Sequence, residues 1–417
     1  MKFGLKCIGR FKNVEVKLDG ITVICGENGT GKSTVGKALF CCFNSMCDFD
    51  KKILEMRKKE IESIINKYAF VFLSKSSVSS FVNHPQKMTE DIFQYYLSRV
   101  EGYDREEIMS MLPSTMFNKE DAADALIRIM ERSDEDIFNA YIYRYFNETF
   151  TGQIRNLNVR SDSISHAALE FREGTKTVRF GNSKCRLLKT KVNVLHPAYY
   201  IDNPFVVADL NYHSSYNREI DGNVINAIVQ ARKELAVDKT ANIFDEVENK
   251  ERLQEVYAVM KKAYKGKTVI KDGQYFYEEK GSKPINFINL STGLKSFALI
   301  ERLLESGKLK KKDVLILDEP EIHLHPEWQL VYAEVIVLLQ KALDLTVLIT
   351  THSIYFLDAI DKYSKKYDTA KNTAYYLAQN EGVHSTLEDV SDSLEKIYEQ
   401  MFNPTQKLEN MEYGIYD

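Results

Sequence analysis

The chain has 417 residues, 44% of them hydrophobic and 28% charged, with a formal net charge of −4. That length exceeds one ordinary domain, and the composition is that of a folded chain, which excludes disorder. The small negative charge excludes a global positive field for nucleic acid or anionic membrane, and the basic runs at 308–312 and 362–366 read as solvated faces.

Six cysteines, Cys7, Cys25, Cys41, Cys42, Cys47 and Cys185, form no CxxC pair and no zinc spacing with histidine. Several sit in apolar contexts, as small hydrophobes do, which fits a reducing compartment. No run approaches the roughly 20 apolar residues that span a bilayer, and residues 1–10 lack a long apolar core. A cytoplasmic protein without a membrane domain of its own is expected.

Three short strands are expected at 2–8, 14–18 and 21–25, with turns at Asn13 and at Asp19-Gly20. A Gly-rich loop and a helix over 32–42 follow. Apolar spacing then predicts helices over 51–68, 91–100 and 121–146, with Pro113 as a break. Strands are expected at 154–159, 164–170 and 176–180, with Gly174 at a turn, and a buried strand at 198–201. Residues 215–265 read as mostly helical and 274–278 as a strand. Beyond them the pattern alternates: helix 293–306, strand 314–317, helix 327–341, strand 346–350, helix 354–359 and strand 373–377.

The strongest chemical signal is Gly26-Glu27-Asn28-Gly29-Thr30-Gly31-Lys32-Ser33-Thr34, a complete G-x-x-x-x-G-K-[ST] between a strand and a helix. The glycines let backbone N–H groups turn inward around phosphates, and the helix presents its positive end to the same anion. Lys32 is expected to reach the β- and γ-phosphates of ATP, and Ser33 to give an oxygen to Mg²⁺. A second signal is the run Val314–Leu317 followed by Asp318 and Glu319, an apolar strand with two acids at its carboxyl end. Asp318 is expected to hold Mg²⁺ through water, and Glu319 to orient or deprotonate the attacking water. His352 follows the next strand, where a histidine can hydrogen-bond the γ-phosphate. Ser291 opens the 293–306 helix in Leu290-Ser291-Thr292-Gly293-Leu294-Lys295. It suits an N-cap, and the same geometry leaves a hydroxyl and N–H groups facing outward for a second phosphate.

This order of loop, Ser-x-Gly helix, acidic strand and histidine resembles the ABC-type ATPases, and within them the SMC, RecF and OLD branch. Leu290–Lys295 resembles the signature motif, with Thr292 and Leu294 departing from its usual Gly and Gln. Asp318–Glu319 resembles the Walker B pair, and His352 the switch histidine. The stretch Asp318-Glu319-Pro320-Glu321-Ile322-His323-Leu324-His325-Pro326 is similar to the DEPExxLHP form of this branch, which explains His323 and His325 without a metal. The resemblance implies a Q-loop glutamine on Mg²⁺ and the attacking water; Gln153 is the candidate and Gln94 the runner-up. Tyr199-Tyr200-Ile201-Asp202-Asn203-Pro204 reads as a turn after a core strand, and resembles a YIDxPF stretch of small defence ATPases.

The implied fold is α/β: a P-loop ABC-type ATPase head with a mixed sheet flanked by helices, a helical insertion and no long coiled coil. The expected organisation is an N-terminal head part at 1–48, a helical insertion at 49–150, a β-rich head part at 151–214, a helical lobe at 215–270 and a C-terminal head part at 271–417. Neither 49–150 nor 215–265 sustains heptads. The stretch after His352 is expected to be too short for a TOPRIM nuclease domain. The resemblance implies a homodimer or higher even-numbered oligomer, docked head to tail, with ATP between the Lys32 loop of one subunit and the Ser291 helix of the other. It further implies a sensor or scaffold for a separate effector, a nuclease or toxin, in bacterial anti-phage defence, as in Septu or PARIS. Two alternatives stay open: a RecF-type repair ATPase that binds duplex DNA, and a nucleotide-gated scaffold with little turnover.

Overall fold

The computed structural model describes residues 1–73, 84–99, 102–114, 116, 118–160, 163–181, 184–188, 193–211, 219–237 and 251–401. The chain folds as two compact units: Asp48–Ile142, and Met1–Cys47 together with the chain from Tyr143 onward.

The larger unit begins with β1 (Lys2–Ile8) and β2 (Phe11–Lys17), paired antiparallel across a two-residue turn, Gly9-Arg10. The turn therefore sits at Gly9 and not at Asn13, which pairs with Lys6 inside the hairpin. Next come β3 (Ile21–Gly26) and α1 (Lys32–Met46).

The smaller unit is built from α2 (Phe49–Leu73), α3 (His84–Ser98), α4 (Arg105–Met111) and α5 (Lys119–Glu131); α6 (Asp134–Thr149) follows. Ile61, Ile65, Ile92, Ile108 and Leu126 meet in its core. The single helix expected over 121–146 is two helices. Arg132 is extended, and the Ser133 hydroxyl accepts from Asp136 N–H at 3.1 Å, a cap that starts a new helix with three acids in its first turn. Arg57 of α2 donates to the carbonyls of Ile129, Met130 and Arg132, satisfying the end of α5.

Back in the larger unit, β4 (Ser165–Phe171), β5 (Gly174–Phe180) and β6 (Cys185–Leu188) form an antiparallel run. The strand expected at 154–159 is absent, apart from a bridge between Ile8 and Arg155. There the Asn156 side chain accepts from Asn158 N–H at 2.8 Å, a local turn that competes with extended pairing. Then follow β7 (Ala198–Ile201), α7 (Val206–Asp209), α8 (Glu219–Val237) and α9 (Gln254–Met260). The described residues of the expected helical lobe, 219–237 and 251–270, belong to the larger unit, and the second stretch runs into a strand. That strand is β8 (Lys267–Lys271), which with β9 (Gln274–Glu278) and β10 (Ile285–Asn286) makes a small separate sheet. The chain continues through α10 (Thr292–Glu305), β11 (Val314–Asp318), α11 (Pro326–Leu343), β12 (Thr346–Thr351), α12 (Ile354–Lys366), β13 (Thr373–Glu381) and β14 (His384–Asp389).

Among the described residues the main sheet has 11 strands in the order β6-β5-β4-β1-β2-β14-β13-β3-β12-β11-β7. The stretch β13-β3-β12-β11-β7 is parallel, whereas β1, β2, β4, β5 and β6 pair antiparallel. This is the mixed sheet flanked by helices that the sequence predicts. The parallel strands read as near-continuous apolar runs because both their faces are covered. On one face Gly36 of α1 lets the helix approach so closely that a Cβ there would lie 3.0 Å from the Tyr200 ring and 3.1 Å from Ile316. All six cysteines are buried, and none is in a disulfide.

Candidate functional site

The carboxyl ends of β3, β11 and β12, neighbours in the parallel stretch, bring together the loop after β3, the acids after β11 and the histidine after β12. The loop and Glu319 border a cleft of about 440 Å³. Asn28, Gly29, Gly31, Lys32, Ser33 and Thr34 line it on the loop side, and Glu319 faces it from β11.

The loop takes its shape from its glycines. Gly26, Gly29 and Gly31 have φ of 151°, 77° and 86°. Gly31 is the N-cap of α1 with no side chain over the helix end, so the first N–H groups of that helix stay available to an anion. Glu27 serves through its carbonyl, which accepts from the Thr30 hydroxyl at 2.8 Å and from Lys32 Nζ at 3.0 Å. The Lys32 ammonium, only 4% exposed, also donates to the Gly26 carbonyl at 2.8 Å and lies 3.8 Å from Glu319.

Ser33 and Asp318, 285 positions apart in sequence, are joined by a hydrogen bond from the hydroxyl to Oδ1 at 3.1 Å. Thr350 also donates to Oδ1, and the Tyr200 hydroxyl donates to Oδ2 at 2.6 Å. A buried carboxylate with three donors is fixed in position. Glu319 has a left-handed φ of 51°, held by its N–H donating to the Thr350 carbonyl at 3.0 Å.

His352 Nδ1 lies 3.5 Å from Glu319 and 3.7 Å from Glu321. Its contact with Glu319 is the main cause raising the imidazole above its ordinary range, and the same contact lowers the Glu319 carboxyl. Glu321 is almost wholly buried, accepts from Thr351 Oγ1 at 2.5 Å and from His352 N–H at 3.1 Å, and is pushed upward by burial. It fixes the backbone on which His352 stands. Gln329 of α11 bridges the two loops: its amide donates to the Leu324 carbonyl at 3.2 Å and accepts from Ser353 at 2.8 Å.

Gln153 lines the same cleft. Gln94 is on α3, donating to Glu90 at 3.0 Å. Ser291 and Gly293 are not among the residues that line the cleft. Ser291 caps α10, accepting from Leu294 N–H at 3.5 Å. Gly293 leaves room for Trp328, whose ring carbons would lie 2.9 Å from a Cβ there. His323 packs edge-on against Phe205, and His325 caps α11 by accepting from Glu327 N–H at 3.4 Å.

Tyr200 and Thr350 are the site residues that motif reading missed. Tyr200 sits mid-strand in an apolar run, where a tyrosine reads as core, and nothing in its spacing indicates that its hydroxyl meets Asp318. Thr350 similarly reads as the end of a strand.

A family model described as an AAA ATPase domain matches residues 2–357. Three solved structures are similar in fold. An SMC head domain from Thermotoga maritima is 12% identical, with a TM-score of 0.39, over 93% of this chain and 98% of the other. An Smc head bound to the C-winged helix domain of ScpA is 10% identical, with a TM-score of 0.45, over 95% and 98%. An Smc head domain with an extended coiled coil, bound to the C-terminal domain of ScpA and derived from Pyrococcus furiosus, is 11% identical, with a TM-score of 0.42, over 96% and 98%. No curated protein matches the chain. The family match takes in the phosphate loop, the Asp318–Glu319 strand end and His352, and this chain belongs to the AAA ATPase domain family.

Proposed function

We propose that the chain binds MgATP on the Gly26–Thr34 loop, hydrolyses it at Glu319, and uses the nucleotide state to control its assembly with partners. The observation that carries this reading is the hydrogen bond between Ser33 and Asp318, which ties the loop that lines the cleft to the strand end that carries Glu319, itself in the cleft lining and 3.5 Å from His352. Mg²⁺ fits the donor set: a hydroxyl and an anionic carboxylate are the hard oxygens it takes, and Asp318 is held rigid by Tyr200 and Thr350. Held there, the ion would offset the negative charge that develops during phosphoryl transfer. Lys32 exchanges its loop carbonyls for phosphate oxygens. Glu319 positions the attacking water and takes its proton, while His352 steadies Glu319 and donates to the terminal phosphate. Gln153, on the same cleft, orients the water.

Ser291 and Gly293 lie outside the cleft of their own chain, which supports a partner subunit as the user of that helix end. A homodimer around ATP follows. The resemblance to the SMC, RecF and OLD branch, with no sustained heptads, favours a sensor and scaffold over a DNA-tethering machine. On that basis the chain restrains a separate nuclease or toxin in bacterial anti-phage defence. Among the described residues no helix is long and apolar enough to cross a membrane.

Phosphate release from ATP by the purified chain tests the reading. It is expected to require Mg²⁺ and to stop with EDTA. Tyr200→Phe keeps the ring in its packing and removes one donor from Asp318; the Mg²⁺ needed for half-maximal turnover is expected to rise about tenfold. An unchanged Mg²⁺ requirement would mean that Tyr200 only packs. Affinity capture with ATP present separates the partners: a stoichiometric nuclease or toxin supports the restrained effector, and duplex DNA without such a protein supports the repair alternative.

A further inference from the structure

The two-residue turn between β1 and β2 takes no part in the reading above, yet it wraps the phosphate loop. The two residues of the turn and Phe11 after it meet three positions of the loop. Gly9, at φ 53°, has no room for a side chain, because a Cβ would lie 2.6 Å from Thr34 Cγ2. The Phe11 ring is the nearest neighbour of Gly31, 3.1 Å from a Cβ built there. Between them, Arg10 lines the cleft with Lys32, and its Nη1 is 4.0 Å from a Cβ built on Gly29. The turn is fixed from outside. Gly9 N–H donates to the Ile154 carbonyl at 3.1 Å, Ser385 N–H donates to the Arg10 carbonyl at 3.1 Å, and the Asn156 amide donates to the Phe11 carbonyl at 3.3 Å.

Arg10 brings a charge that no acid pairs with among the described residues. Its Nε is buried with no hydrogen-bond partner, and among the described residues no carboxylate lies within ion-pair distance of its guanidinium. In the helical unit Arg57 pairs with Asp134, Arg99 with Glu107 and Arg105 with Asp124. A buried, unpartnered N–H of a cation is costly unless an anion completes it, and a guanidinium is the group best shaped for phosphate oxygens.

We propose that Arg10 is a second cationic ligand of the nucleotide's phosphate chain, held against the loop by the Gly9–Phe11 turn. The inference rests on the nucleotide reading of this cleft. The three backbone hydrogen bonds place the guanidinium before any ligand arrives, so little ordering is required when phosphate binds.

ATP affinity of the full chain, measured by calorimetry for the wild type, Arg10→Gln, Arg10→Lys and Lys32→Ala, tests the proposal. Arg10→Gln is expected to weaken ATP binding about tenfold or more, the worth of a charge-assisted hydrogen bond to phosphate, while the melting temperature of the nucleotide-free chain holds. Arg10→Lys is expected to recover part of the loss, as a point charge without the fork. Unchanged ATP affinity in Arg10→Gln overturns the proposal. So does a loss of affinity accompanied by an equal loss in the melting temperature of the free chain, which would make Arg10 a structural residue. A failure of the nucleotide reading itself looks different: wild type without ATP binding, or Lys32→Ala binding as tightly as wild type.

Discussion

Glu319→Gln is expected to abolish multiple turnover while the chain still binds ATP. Glutamine has the same shape and keeps a carbonyl oxygen for a hydrogen bond, but it cannot take a proton from water. General-base contributions are worth about 10²- to 10⁴-fold, so phosphate release in a single turnover is expected to fall by about 100-fold or more. Binding is not expected to suffer, because the substitution removes a negative charge 3.8 Å from Lys32, the side chain that must meet the phosphates. If ATP joins two subunits, the uncleaved nucleotide holds them together, and light scattering will read twice the monomer mass. Turnover within tenfold of the wild type would remove Glu319 from the base role, and an unchanged mass with ATP bound would remove the dimer.

The same pair sets the pH response. The lowered Glu319 carboxyl adds stability that is present above its ordinary range and lost as pH falls through its lowered value. The raised His352 imidazole adds stability that is full below its ordinary range and lost as pH rises through its raised value. Both charges coexist only between those limits, and turnover is expected to decline on either side. The alkaline limb is the one that Glu319→Gln cannot explain and that His352 accounts for.

Gly26→Ala is expected to cause the largest loss of stability among the loop positions. Gly26 ends β3 at φ 151°, a conformation that side chains rarely adopt, and a Cβ there would lie 2.3 Å from the Ala378 carbonyl oxygen of β13. That neighbour is backbone within a paired strand and cannot swing away. Strain and forced displacement each cost on the order of 1–3 kcal/mol, so a total of about 3 kcal/mol or more is expected. The melting temperature should fall by about 5 °C or more. Gly307→Ala is the internal comparison. Its φ is also positive, 64°, but nothing lies within 4 Å of a Cβ there, so only the smaller conformational cost applies. Equal losses at the two positions would show that contact with β13 contributes nothing.

The sequence by itself determined the chemistry-bearing positions along the chain. A glycine-rich loop between an apolar strand and a helix is suited to gathering N–H groups around phosphate, and Gly26–Thr34 carries that motif in full. The run Val314–Leu317 reads as a strand covered on both faces, with Asp318 and Glu319 at its end. The parallel half of the sheet was legible for the same reason. The tertiary structure decided what depends on contacts distant in sequence. Asn156 bonding its own neighbour broke an expected strand, and Ser133 capping a new helix split an expected one. The helical unit closed at Ile142 and not at Phe150, because compactness is a property of packing and not of pattern. Strand order, which brings the ends of β3, β11 and β12 side by side, is set by pairing across hundreds of residues. So are the hydroxyls of Tyr200 and Thr350 on Asp318, and the place of the Arg10 guanidinium beside the loop. A residue in an apolar run shows in its sequence that it is buried; what its one polar atom touches is fixed only when the sheet has closed around it.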